Sequence, residues 1–216
     1  MNWTKTASDY YGRLLDEHGA VPASVAVTRE GQRLRFGILL DAVRAAVRSQ
    51  FLLGNFCSTG RPSSILDVGC GYGAFVDYLV EHGHFDAADG YTGIDISPEM
   101  IAAAREMRPN RRFEVRNLIE EPFDKQFEAV IACGIFQLDH GGEYMDGMIE
   151  AMWRAAGRFL AFNMLSAYAP TKHEGEAYYE PGRIMTHCQQ LTPFVTVNHS
   201  YRQNDFTVVM TREQVA

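Results

Sequence analysis

The stretch Ile65-Leu66-Asp67-Val68-Gly69-Cys70-Gly71-Tyr72-Gly73 sets a short apolar strand directly against three glycines in five residues, and Ala74 to Glu81 follows with helical spacing. Glycines let the backbone turn sharply and approach a ligand without a Cβ in the way. The free N–H groups of the helix behind them favour polar or anionic ligand atoms. The next apolar run, Tyr91-Thr92-Gly93-Ile94-Asp95, reads as a second strand and ends in a carboxylate 22 residues beyond Gly73. A carboxylate at that place can accept both ribose hydroxyls of an adenosine moiety. A lone glycine loop would be no more than a tight turn, but strand, loop, helix, strand and acid in this order specify a nucleoside site.

Outward from this unit, short apolar runs keep alternating with amphipathic helical stretches, which predicts an α/β fold. Ser97-Pro98-Glu99 opens a helix, with Ser as N-cap, Pro at the first helical position and Glu favourable to the dipole. Arg112 to Arg116, Phe127 to Ala132 and Arg158 to Leu165 supply a third, fourth and fifth strand, with a helix from about Glu143 to Ala156 before the fifth. Their long crossovers suggest a parallel sheet. Phe194 to His199 and Phe206 to Thr211 alternate with period two across a short connection, Ser200 to Asp205, which permits only an antiparallel pair. Residues 1–60 are helical in pattern, with Tyr10, Leu14 and Leu15 on a short amphipathic stretch and a longer one from Arg29 to Phe56. They are expected to form a cap on a core of residues 61–216, the whole making one domain.

The 216 residues, 24.3 kDa, are 46% hydrophobic, enough for a core without disulfides or structural metal. Lys and Arg total 20 against 27 Asp and Glu, a net charge of −7, so a broad nucleic-acid footprint is disfavoured. The basic stretch Arg105, Arg108, Arg111, Arg112 and Arg116 reads as a solvated helix end that complements the dipole. Cys57, Cys70, Cys133 and Cys188 show no metal-ligand spacing, and read as small buried hydrophobes of a reduced protein. No apolar run is long enough to span a membrane and the N-terminus has no apolar signal core, so the expected location is the cytoplasm.

ILDVGCGYGAF resembles the first motif of class I S-adenosylmethionine (SAM)-dependent methyltransferases, YTGIDISPEMI the second, and FEAVIACGIFQL the fourth-strand motif. The resemblance is close over about residues 60 to 165. It implies a doubly wound, Rossmann-like, mostly parallel seven-stranded sheet with one antiparallel strand. It also implies SAM as cofactor and S-adenosylhomocysteine (SAH) as product. By position, Asp67 and the loop Gly69, Cys70, Gly71, Tyr72 and Gly73 would contact the methionine part, Asp95 the ribose hydroxyls, and Ile96 the adenine. Where the family often has an Asp for the adenine amino group this chain has Asn117, followed by Leu118, and an Asn can still accept that bond through its carbonyl oxygen. Cys133, Gly134 and Ile135 would complete the pocket wall. An NAD-dependent oxidoreductase shares the strand, glycines and distant acid, but wants G-x-G-x-x-G, whereas position 74 is Ala. A SAM-binding partner subunit without chemistry is a further alternative.

Methyl transfer from a sulfonium is an in-line displacement, so alignment and exclusion of water do most of the work. A base helps when the acceptor carries a proton, and His140, next to Asp139 and just past the fourth strand, is the candidate, with His173 the next. The alternative for His140 is an ordinary loop histidine. Phe136, and Tyr168, Tyr178 and Tyr179 from the long loop Ser166 to Glu180, are candidate acceptor contacts. His199 and Tyr201 are weighed as acceptor contacts or structural residues, and Tyr10, Tyr11, Arg35 and Phe36 as the lid. The expected acceptor is a small molecule methylated on oxygen or nitrogen, in specialised or surface-glycan metabolism. The alternative is a macromolecule, tRNA or protein.

Overall fold

The computed structural model describes residues 3–52, 62–82 and 90–212. Helices α1 (Trp3–His18) and α2 (Arg29–Leu52) precede the sheet, joined through a 3-10 turn at Pro22–Val25. Then follow β1 (Ile65–Val68), α3 (Ala74–Glu81), β2 (Tyr91–Asp95), α4 (Pro98–Met107), β3 (Arg112–Val115) and β4 (Phe127–Ala132). The chain continues through α5 (Gly142–Ala155), β5 (Ala156–Leu165), α6 (Pro181–Gln189), β6 (Val195–Arg202) and β7 (Asp205–Thr211). Cys57, the end of the long helix at Phe56 and the boundary at residue 60 lie outside the described residues.

The seven strands form one sheet in the order β3-β2-β1-β4-β5-β7-β6, with β7 antiparallel to both neighbours and all other pairs parallel. The strand order reverses at β1, which pairs with β2 on one side and β4 on the other, and such a switch point opens a crevice at the strands' carboxyl ends. Register brings Val68, Ile94 and Ala132 level there, so the loops that follow meet in one place. All four residues of β1 are buried, as a central parallel strand covered on both faces requires. One core, with Leu66, Val130 and Phe162, lies on the α5 face, and the other, with Ile65, Phe75 and Ile131, holds the apolar stripe of α2 and α3.

The expected strands and the Ser97 cap are present, the Ser97 Oγ accepting from Met100 N at 3.2 Å. Two details differ from the sequence reading. The terminal hairpin turns over Gln203–Asn204 rather than six residues, because a register irregularity between Asn198 and Arg202 interrupts the alternation while pairing continues to Arg202↔Asp205. Helix α6 was not foreseen, although Glu180 caps it by accepting from Arg183 N and Pro181 starts it. Among the described residues no helix is long and apolar enough to cross a membrane, and no cluster of His, Cys, Asp and Glu could hold a metal.

Candidate functional site

The glycine loop is folded by its own backbone. Gly69 N and Cys70 N both donate to Ile94 O, at 2.8 and 2.9 Å, which ties the loop to β2. Gly69, Gly71 and Gly73 adopt φ of +70°, +53° and +83°, where L side chains are strained. At Gly69 a Cβ would also stand 2.2 Å from Ile135 Cγ2, so glycine is needed for space as well as for conformation.

Asp95 ends β2 facing this loop. Its Oδ2 accepts from Gly71 N and its Oδ1 from Ser97 N, each at 2.9 Å, which fixes the carboxylate plane. Burial raises its carboxyl above the usual range and these backbone donors oppose the rise. Asp67 is buried within β1 and accepts a 2.6 Å bond from the Tyr91 hydroxyl. Burial pushes Asp67 up to about 7, the Tyr91 bond pulling the other way and Asp95 adding to the rise.

These groups open onto one cavity at the switch point. Asp67, Gly69, Cys70, Gly71, Tyr72, Asp95, Ile96, Leu118, Cys133, Gly134, Ile135 and His140 line it, as do Tyr11, Arg35 and Phe36 from the two N-terminal helices. Gly73, as the residue before α3, sits behind the lining, where Phe113 packs against it. Asn117 is buried outside the lining, its oxygen accepting from Ile119 N at 3.1 Å and its amide donating to Thr4 Oγ1 of α1 at 3.4 Å. Its carbonyl oxygen therefore already holds a turn of this chain.

His140 is half-buried, and burial lowers its pKa while Asp139 partly opposes this, so the imidazole is neutral at pH 7. Asp139 itself is exposed and accepts from Gly141 N at 3.1 Å. The loop after β5 does not reach the cavity. Its Tyr168 donates to Glu180, Tyr178 to Glu176, and His173 is exposed. Instead the loop backs the segment after β4, through Ala177 N to Gln137 O at 2.9 Å and Asp139 N to Gly175 O at 3.1 Å. Phe136 lies in the core with Tyr179 packed against it, Tyr10 packs edge-on to Tyr11, and His199 Nε2 lies 3.1 Å from Gln203 O.

Sequence reasoning missed Gln32, Arg116, Gln137 and Tyr144, all in the lining. Gln137 follows the fourth strand and Tyr144 begins the next helix, so their positions could have flagged them. Arg35 is buried with its Nε bonded to Asp205 of β7. Burial works against the charge, and the adjacent Asp205 more than offsets it, so the guanidinium holds its proton more tightly than usual. Asp205 Oδ1 accepts from Asn163 Nδ2 at 3.1 Å and Tyr201 Oη at 3.4 Å, and Asn163 Oδ1 accepts from Gly134 N at 2.9 Å. With its carboxamide oxygen turned to Arg35, Gln137 accepts from Nη1 at 2.6 Å. Tyr201 thus belongs to the support of the cavity, one residue removed from its surface.

Comparison with known proteins places the site in context. The methyltransferase-domain family model matches residues 65–157. The candidate methyltransferase Rv1506c of Mycobacterium tuberculosis (strain ATCC 25618 / H37Rv) is 30% identical, over 69% of this chain and 93% of its own. A mouse (Mus musculus) 18S rRNA (guanine-N(7))-methyltransferase is 51% identical over 45 residues, 21% of this chain and 14% of that protein. In fold, the chain is similar to magnesium protoporphyrin IX methyltransferase from Synechocystis PCC 6803, solved with bound SAM, with TM-score 0.63, 16% identity and coverage of 99% and 98% of the two chains.

Proposed function

Because the chain belongs to the class I SAM-dependent methyltransferases, we propose that it methylates a small molecule on oxygen or nitrogen, inside the cavity that the N-terminal helices cover. The single observation that carries this reading is the cover itself. Ala7 and Tyr11 of α1, Val25 and Val27 of the connection, and Arg35 and Phe36 of α2 wall the same cavity as the glycine loop. A polymer would need an open groove, and the net charge of −7 disfavours a broad nucleic-acid footprint. The short RNA-methyltransferase match falls on a minor part of either chain and says nothing of the acceptor.

SAM supplies an activated methyl group when bound. Asp95, its carboxylate held by Gly71 and Ser97, would accept the ribose hydroxyls, and the loop from Gly69 to Tyr72 with Asp67 would hold the methionine end. Ile96 and Leu118 would flank the adenine, and Asn117, whose oxygen holds Ile119 N, would act behind them. Tyr11 and Phe36 exclude water and align the acceptor, and His140 takes the proton from the attacking atom.

Incubation with methyl-labelled SAM and separate metabolite, tRNA and protein fractions tests the reading. Label in the metabolite fraction is the expected result. Label confined to macromolecules would establish the other class of acceptor.

A further inference from the structure

The cavity lining contains a buried arginine, Arg35, which invites the reading of an anion receptor for a carboxylate or phosphate. Its surroundings argue otherwise. Arg35 already has a buried counter-ion in Asp205, and Asp205 is fully enclosed and held by Asn163 and Tyr201. The Nη1 side of Arg35 is taken by the Gln137 oxygen. An anionic acceptor would have to compete with Asp205 for one cation, and would bring a like charge beside it in a low-dielectric site. Arg116, the other arginine in the lining, pairs with Glu114 at 3.2 Å and donates to Glu121 O at 2.9 Å. The remaining basic group there, His140, is neutral at pH 7.

Against these matched charges stands one polar group with nothing to bond. Tyr11 lines the cavity from α1, half-buried, and its hydroxyl has no hydrogen-bond partner among the described residues. A hydroxyl that faces a cavity without a protein partner is free to donate to a ligand atom. Val27, Phe36, Leu138 and Met148 give the same cavity apolar walls, and Asp95 and Arg35 are near enough to act on the Tyr11 hydroxyl.

We propose that this site selects acceptors that carry no net charge and offer an oxygen or nitrogen lone pair to Tyr11, with Arg35 as a positioning residue and not an anion receptor. The inference rests on the small-molecule reading above. Arg35 joins α2 to β7 and, through Gln137, to the segment after β4, so its role is to hold the walls from which Tyr11 and His140 face the acceptor.

The experiment compares benzamide and benzoate, rings of the same size that differ in charge, by ligand-observed NMR titration of the protein saturated with SAH. Benzamide is expected to bind about tenfold or more tighter than benzoate, and Tyr11→Phe to weaken benzamide by about 2- to 12-fold, the loss of one hydrogen bond. Asp205→Asn, which leaves the Arg35 charge unmatched, should strengthen benzoate about tenfold. Benzoate binding to the unmodified protein as tightly as benzamide overturns the proposal, as does binding of neither ring, or an unchanged benzoate affinity in folded Asp205→Asn. If Asp205→Asn does not fold, the ranking in the unmodified protein and the Tyr11→Phe variant still decide. A failure of SAH itself to bind, read by calorimetry beforehand, would instead remove the cofactor reading and this proposal with it.

Discussion

At the scale of single residues, two acids line one cavity in different surroundings. Asp95 holds its carboxylate plane through two backbone donors. Asp95→Ala should therefore weaken SAM binding by about 1.5–3 kcal/mol, the range for a hydrogen bond to a charged group, as measured by calorimetry. Asp67 has no such pair of donors, and its carboxyl is raised from 3.8 to about 7. The folded chain thus keeps a proton that the unfolded chain has lost once the pH passes about 4, and the stability from this proton is lost as the pH rises towards 7. Asp67→Asn should flatten the fall of melting temperature across that window. For His140 the shift is downward, so the acidic limb of a kcat profile should lie below the ordinary histidine value of 6.5. His140→Ala should remove that limb and lower kcat by about 10²–10⁴-fold while SAM affinity holds.

At the scale of elements, the glycine loop and its strands were legible because each part has one physical reading: buried β-branched runs, positive φ, an acid at the strand end. Gly69→Ala tests the tightest point, since it combines a left-handed backbone with a Cβ 2.2 Å from Ile135. It should lower the melting temperature and abolish SAM binding. Gly175→Ala, also left-handed at φ +83° but with open space around it, should cost only the conformational ~1–2 kcal/mol. Helices α1 and α2 were legible from their amphipathic patterns, and removal of residues 1 to 27, which takes Tyr11, Val25 and Val27 from the wall, should lower turnover far more than melting temperature. The loop after β5 was harder to read, because aromatic side chains that satisfy neighbouring acids, as Tyr168 does Glu180, look in sequence like aromatics lining a pocket. Gln137 escaped for the opposite reason, since a glutamine carries no chemical signal until Arg35 is beside it.

At the scale of the whole molecule, the Arg35–Asp205 pair joins residues 170 positions apart. No local pattern announces it, as each partner reads alone as an ordinary charge on an amphipathic element. Removing one partner of a buried pair leaves an uncompensated charge, so Asp205→Ala should cost about 3–5 kcal/mol in a denaturant titration. Replacing both, as Arg35→Met with Asp205→Leu, should recover most of that loss, because the apolar pair needs no solvation.

The position of β7 inside the sheet, between β5 and β6, has a consequence for synthesis. Chains emerge from the ribosome N-terminus first, and the leading part begins to fold while the rest is still being made. Here the arginine comes out early and waits for a carboxylate that arrives after all six other strands. A nascent or prematurely terminated chain lacking Asp205 would carry an unmatched cation on α2 and an open slot in the sheet between β5 and β6.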